Sequence, residues 1–331
     1  MFYPPGADAV TCLNGWWDFL PLDPEDRATP RDRVPDAAAP WAAGKLLVPS
    51  WWTKPEDAVR RPGETFFTDR QKLFQGPPET LTPDLEFLFD AFGYPLEWAR
   101  TREGWLRRPL ELAALPPGRR FFLRFAAVMP RAVLFVNGRP VAAHHHPTLP
   151  FETDVTAFLR PGTNEIALHL QDYERDERGR ATTPTGNWIP WIHSGAWQDV
   201  TLVERGDVHV SDVTVRTSVR RRDMELTFEI ANASCEPRRV TLAAAVHPWR
   251  KGATATTRLP VALPLPELTV ELAPRQTVAR TVTVPWADAK LWELRRPTCT
   301  CCAWRSRTTA GPSTPPRNAS ASARSGWRGR T

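Results

Sequence analysis

Few places in this 331-residue chain concentrate side chains that could do chemistry. His144-His145-His146 is the densest. Successive side chains on a strand point to opposite faces, so three consecutive imidazoles cannot converge on one metal ion, and a solvated strand end accounts for them. Cys12 and Cys235 stand alone. Cys299, Cys301 and Cys302 crowd together without a histidine or acid to complete a zinc-like shell, so no metal, cofactor or disulfide framework is expected. Glu152 and Asp154 share a strand face or a turn, and Asp154 is expected to cap the turn through Thr156. Ser194 sits in His-Ser-Gly rather than on the strained elbow that activates a serine nucleophile. No catalytic residue is assigned from these clusters.

The best functional candidate is Asn187-Trp188-Ile189-Pro190-Trp191-Ile192-His193. Exposed indoles offer flat apolar faces for sugar rings, and an amide and an imidazole can discriminate hydroxyls by hydrogen bonding. Asn187, Trp188, Trp191 and His193 are therefore the candidate carbohydrate-binding residues. The competing reading is that Trp191 and Trp197 close a sandwich core.

The elements that would position these residues read as short strands. Leu13-Asn14-Gly15-Trp16-Trp17-Asp18-Phe19 is a turn followed by an aromatic strand with Trp17 and Phe19 on one face. In Phe121 to Val128, Phe121, Leu123, Phe125 and Ala127 alternate with a more mixed set. Asn137-Gly138 tolerates positive φ at both positions and predicts a two-residue hairpin between Arg131–Val136 and Arg139–His144. Pro161-Gly162-Thr163-Asn164 then leads into Ile166, Leu168 and Leu170 on one face. Residues 53 to 97 fit least well: a Pro- and Phe-rich inserted lobe is expected, with a helix from Asp84 to Phe92 capped by Thr82-Pro83.

The order Leu-Asn-Gly-x-Trp (from Leu13), Val-Pro-Ser-x-Trp (from Val48), Val-Asn-Gly (from Val136), Pro-Phe-x-x-Asp-Val-Thr (from Pro150) and Gly-x-Asn (from Gly162) resembles the N-terminal sugar-binding domain of family 2 glycoside hydrolases, the β-galactosidases, β-glucuronidases and β-mannosidases. The resemblance implies a jelly-roll (galactose-binding-like) sandwich. In some members the loop equivalent to 187–193 reaches toward the active site, often with an acidic residue, where this chain has Asn187. The chemistry of such enzymes belongs to two glutamates on a (β/α)₈ barrel, with carboxylates about 5–5.5 Å apart. Glu293 is the last acid in the sequence, so no catalytic glutamate is carried over.

After Glu204 the texture changes. Five alternating runs, among them Met224, Leu226, Phe228 and Ile230, and Val240, Leu242, Ala244 and Val246, read as an immunoglobulin-like sandwich, which such glycosidases place here. The expected organisation is all-β: a sugar-binding-like sandwich over 1–205 with the 53–97 lobe, an immunoglobulin-like sandwich over 206–297, and a tail over 298–331. The tail contains no Val, Ile, Leu, Met or Phe and is expected to be disordered, reading like a shifted frame in a GC-rich gene.

Six of the 43 lysines and arginines lie in that tail. The remainder match the 37 acids one for one, which argues against a nucleic-acid partner despite the net charge of +6. No signal-peptide pattern and no run of ~20 apolar residues is present, so a soluble cytoplasmic protein without a membrane partner is expected. The expected function is the non-catalytic N-terminal part of a family 2 glycosidase, truncated before its barrel, with carbohydrate (a β-glycoside) as partner. The alternatives are a stand-alone carbohydrate-binding module and a structural or interaction protein using the 53–97 lobe. Oligomeric state is unspecified by the sequence.

Overall fold

The computed structural model describes residues 7–22, 28–41, 45–50, 52, 94, 98, 101, 103–129, 131–146, 148–171, 195–249, 260–292, 299–309 and 322–324. The expected helix from Asp84 to Phe92 and nearly all of the 53–97 lobe lie outside them. The regular structure described is strand, apart from a 3-10 turn at Thr156–Phe158. No helix among the described residues is long and apolar enough to cross a membrane. The chain divides into two compact units, Thr11–Leu115 with Phe122–Leu202, and Met1–Val10 and Pro116–Phe121 with Val203–Thr331.

Ten strands build the jelly-roll part: β1 (Ala9–Cys12), β2 (Gly15–Leu22), β3 (Lys45–Val48), β4 (Glu103–Leu112), β5 (Arg119–Phe125), β6 (Arg131–Val136), β7 (Arg139–His144), β8 (Phe151–Asp154), β9 (Gly162–Gln171) and β10 (Val200–Gly206). They form a six-stranded sheet in the order β3-β2-β4-β9-β6-β7 and a four-stranded sheet in the order β1-β10-β5-β8. The period-2 pattern decides which side chains go inward. Trp17 and Phe19 of β2, Leu106 of β4, Leu134 of β6 and Leu168 of β9 are fully buried, as are Leu123 and Phe125 of β5. Phe19 also lies 4.6 Å from Trp52 and 4.8 Å from Trp98, ring centre to ring centre. The Asn137-Gly138 hairpin forms as expected, with φ of 51° and 74°. At Gly104, a methyl group would stand 2.7 Å from the Phe19 ring, so only glycine lets β4 lie this close to it.

The second unit is a sandwich of eight further strands. β11 (Val208–Ser218), β12 (Asp223–Asn232) and β16 (Thr277–Pro285) make one sheet. β13 (Arg238–Pro248), β14 (Leu263–Pro264), β15 (Leu268–Leu272), β17 (Thr300–Thr309) and β18 (Ser322–Arg324) make the other. Its core joins Met224, Leu226, Phe228 and Ile230 to Val240, Leu242, Val270 and Leu272, the residues the alternation singles out. Val219, which alternates with Val213 and Val215 in sequence, is 51% exposed beyond the end of β11.

The structure corrects the expectation of a disordered tail beginning at 298. β17 runs alongside β13 in antiparallel register from Pro248↔Thr300 to Arg239↔Thr309. Cys301, Cys302 and Trp304 are buried, and the Trp304 ring meets Phe228 edge-on at 6.1 Å. Counting only aliphatic residues and phenylalanine undervalues this strand, because cysteine buries as readily as valine and one indole supplies the apolar area of two smaller side chains.

Candidate functional site

The motif residues of the first unit hold backbone. Asn14 Nδ2 donates to Asp199 Oδ1 at 2.8 Å and its Oδ1 accepts from the Val200 N–H at 3.0 Å, while Trp17 Nε1 donates to the Leu13 carbonyl. Asn137 Nδ2 reaches both the Phe158 carbonyl and Asn164 Oδ1 at 2.8 Å, and Asn164 Nδ2 donates to the Arg160 and Gly162 carbonyls. Asp154 accepts from the Thr156 amide at 2.9 Å and hydroxyl at 2.6 Å, the turn cap its spacing predicts. His144 stacks on Phe151 and hydrogen-bonds the His146 carbonyl, while His146 Nδ1 accepts from the Thr148 and Leu149 amides. Burial pushes the His144 imidazole below its ordinary value. The three histidines thus finish a strand. No group of His, Cys, Asp and Glu able to hold a metal occurs among the described residues.

Asn187, Trp188, Trp191, His193 and Ser194 lie outside the described residues, but both stems of their stretch are described. Gln171, at the end of β9, pairs with Glu103 and Arg131. On the return, the Gly195 carbonyl accepts from the Met129 N–H at 2.9 Å and the Ala196 carbonyl from the Ser50 N–H at 3.1 Å. Ser50 is itself fixed by Tyr94, whose hydroxyl lies 2.8 Å from Ser50 Oγ and accepts from the Leu47 amide. Burial raises the Tyr94 phenol above its ordinary value, leaving it a neutral donor. The candidate stretch therefore springs from two rigid stems.

Sequence reading overlooks the outer face of the six-stranded sheet. Residues 28–41 lie over it, with Val34, Ala39 and Trp41 packed on Leu20, Leu22, Trp105, Phe135 and Ala167. His169 Nε2 donates to Glu103 Oε1 at 2.9 Å, Arg31 Nε to Glu103 Oε2 at 3.3 Å, and Trp105 tilts against His169 at 4.8 Å. Burial opposes ionisation of Glu103, yet the hydrogen bonds and charges of His169 and Arg31 outweigh it and hold the carboxyl below its ordinary value. Further along the same face, a groove of about 660 Å³ is lined by Asp18, Arg107, Asn137, Thr163, Asn164 and Glu165 among others. The Arg107 guanidinium lies 3.8 Å above the Trp41 ring, 3.4 Å from Asp18 and 3.9 Å from Glu165. The signal that could have found this face is the same alternation that buries Trp17 and Phe19, since it sends Trp16 and Asp18 the other way.

Comparison with known proteins bears on this geometry. Residues 98–206 match the family model described as glycosyl hydrolases family 2, sugar binding domain. Over 110 residues the chain is 26% identical to a β-galactosidase of Thermoanaerobacter pseudethanolicus, covering 33% of this chain and 14% of that enzyme. Over 102 residues it is 29% identical to a β-galactosidase of Clostridium acetobutylicum, covering 30% and 10%. Among solved structures, a β-glucuronidase of Bacteroides uniformis superposes with a TM-score of 0.62 at 16% identity, over 91% of this chain and 30% of that one. A family 2 β-galacturonidase from Eisenbergiella tayi, bound to glycerol, gives 0.60 at 15% identity, over 94% and 42%. The chain spans less than half the length of these enzymes, and within it residues 98–206 are similar to the sugar-binding domain of family 2 glycosyl hydrolases.

Proposed function

We propose that this chain serves as the non-catalytic N-terminal part of a family 2 glycosidase, recognising a β-glycoside through the stretch carrying Asn187, Trp188, Trp191 and His193. The observation that carries the reading is the family match over residues 98–206, which takes in that stretch and both of its stems. β-Galactosides are the first ligands to try, because the two relatives above are β-galactosidases.

Four of the described acids of the first unit fit a binding rather than a hydrolytic role. Retaining hydrolysis needs one carboxylate free to attack and a second free to protonate, about 5–5.5 Å apart. Asp18, Glu103 and Glu165 are each held by an arginine, and Asp154 caps a turn. Purified protein should leave nitrophenyl β-galactoside and β-glucuronide unhydrolysed beyond a host-enzyme control. Calorimetry should detect a β-galactoside, and Trp191→Ala with His193→Ala should weaken it at least ten-fold. Turnover that survives the control, or affinity indifferent to both substitutions, would overturn the reading.

A further inference from the structure

The outer face of the six-stranded sheet presents a second surface with carbohydrate-like demands. Along β2, Trp16, Asp18, Leu20 and Leu22 point to this face because Trp17 and Phe19 point into the core. Leu20 and Leu22 are covered, but Trp16 is 58% exposed, the most exposed of the large hydrophobic side chains described. One step along the same face, Asp18 opens the groove of about 660 Å³, a volume within the ~300–1,000 Å³ typical of small-molecule sites.

The groove's polar groups are ordered. Arg107 lies over the Trp41 ring between Asp18 and Glu165, and Arg107, Asp18 and Glu165 keep side-chain exposures of 20%, 34% and 40%. The rim at Asn137 and Asn164 is tied to backbone carbonyls and amides on both sides. Little ordering entropy remains to be lost on binding.

We propose that Trp16 and this groove form a binding site for a neutral β-linked oligosaccharide. One pyranose lays its C–H face on the Trp16 indole, and the next offers hydroxyls to Asp18 and Glu165 as donors and to Arg107 as acceptors. The ligand must be polar, since an apolar one would bury these groups without partners. A neutral ligand suits the groove, since Lys45 and Arg107 are matched by Asp18 and Glu165 while Arg108 and Arg160 turn to the Leu13 and Thr163 carbonyls. Neither described stem of the 187–193 stretch, Gln171 or Gly195, lines the groove; the site is proposed as a second one, and it rests on the carbohydrate reading above.

The test is calorimetric titration of the 331-residue chain with cellotetraose, β-1,4-galactotetraose and β-1,4-mannotetraose, with digalacturonate as the charged comparison. At least one neutral tetraose should bind. Trp16→Ala should weaken it ten-fold or more, Trp16→Phe should keep affinity within about three-fold, and Glu165→Gln should weaken it several-fold, with unchanged circular dichroism in each case. Asn187→Ala with Trp191→Ala should leave this affinity in place. Affinity that survives Trp16→Ala but falls with the Asn187 and Trp191 substitutions overturns the outer-face site while the preceding reading stands. Tighter binding of digalacturonate overturns the neutral class and with it the proposal, and flat titrations with all four sugars overturn both readings.

Discussion

Single side chains in the first unit stabilise mainly by satisfying buried polar groups. Asn164 is fully buried and engages one side chain and three backbone groups, so Asn164→Ala leaves several of them unpaired. The expected cost is about 2–4 kcal/mol in urea unfolding. Glu103 gives a pH signature. Its folded value lies below the ordinary 4.5, so the stabilisation it confers is complete above that ordinary value and is lost as pH falls through the lower folded one. Glu103→Gln should cost about 1–2 kcal/mol at neutral pH. The gap to the parent protein should close in acid, and a gap that persists there would contradict the assignment. Asn137-Gly138 and the Asp154–Thr156 cap were legible in sequence because each is local. The Arg31–Glu103–His169 cluster was not, since its partners are 72 and 66 positions apart and no short-range pattern links them.

Among the elements, β17 separates composition from context most clearly. Cys302 is pushed up to about 12 by burial, with the adjacent Cys301 adding to it, and burial raises Cys301 as well. A thiol reagent at neutral pH should therefore modify Cys12, Cys235 and Cys299, all exposed, and reach Cys301 and Cys302 only after denaturation. Uniform reaction of all five thiols would mean that β17 is not docked. Trp304→Ala should cost about 3–5 kcal/mol by emptying a fully packed site. Strands such as β12 and β13 were readable because valine, leucine, isoleucine and phenylalanine alternate in them. β17 was missed because its buried residues are cysteine and tryptophan, set beside the exposed Arg305 and Arg307.

For the molecule as a whole, two separate cores imply separable consequences. Trp16 and Trp304 belong to different units. Trp304→Ala should lower the thermal unfolding of the second sandwich while oligosaccharide affinity, measured well below that transition, stays as in the parent protein. A matching loss of affinity would show that the sites depend on more than the first unit's fold. The fold class was readable from strand periodicity. The outer-face groove was not, because its lining draws on Asp18, Arg107, Asn137 and Glu165, far apart in sequence and brought together only by the sheet.

The pairing of β17 with β13 also dictates an order of assembly during synthesis. β13 leaves the ribosome before β14, β15 and β16, and until Thr309 has followed, the side of β13 that β17 will occupy exposes a row of unpaired amides and carbonyls. A nascent chain paused in that interval carries an open sheet edge above an incomplete core, the state most prone to pairing with a neighbour. Slowing synthesis across 249–309 should therefore lower the yield of soluble protein, measured as the soluble fraction of a fixed amount of synthesised chain.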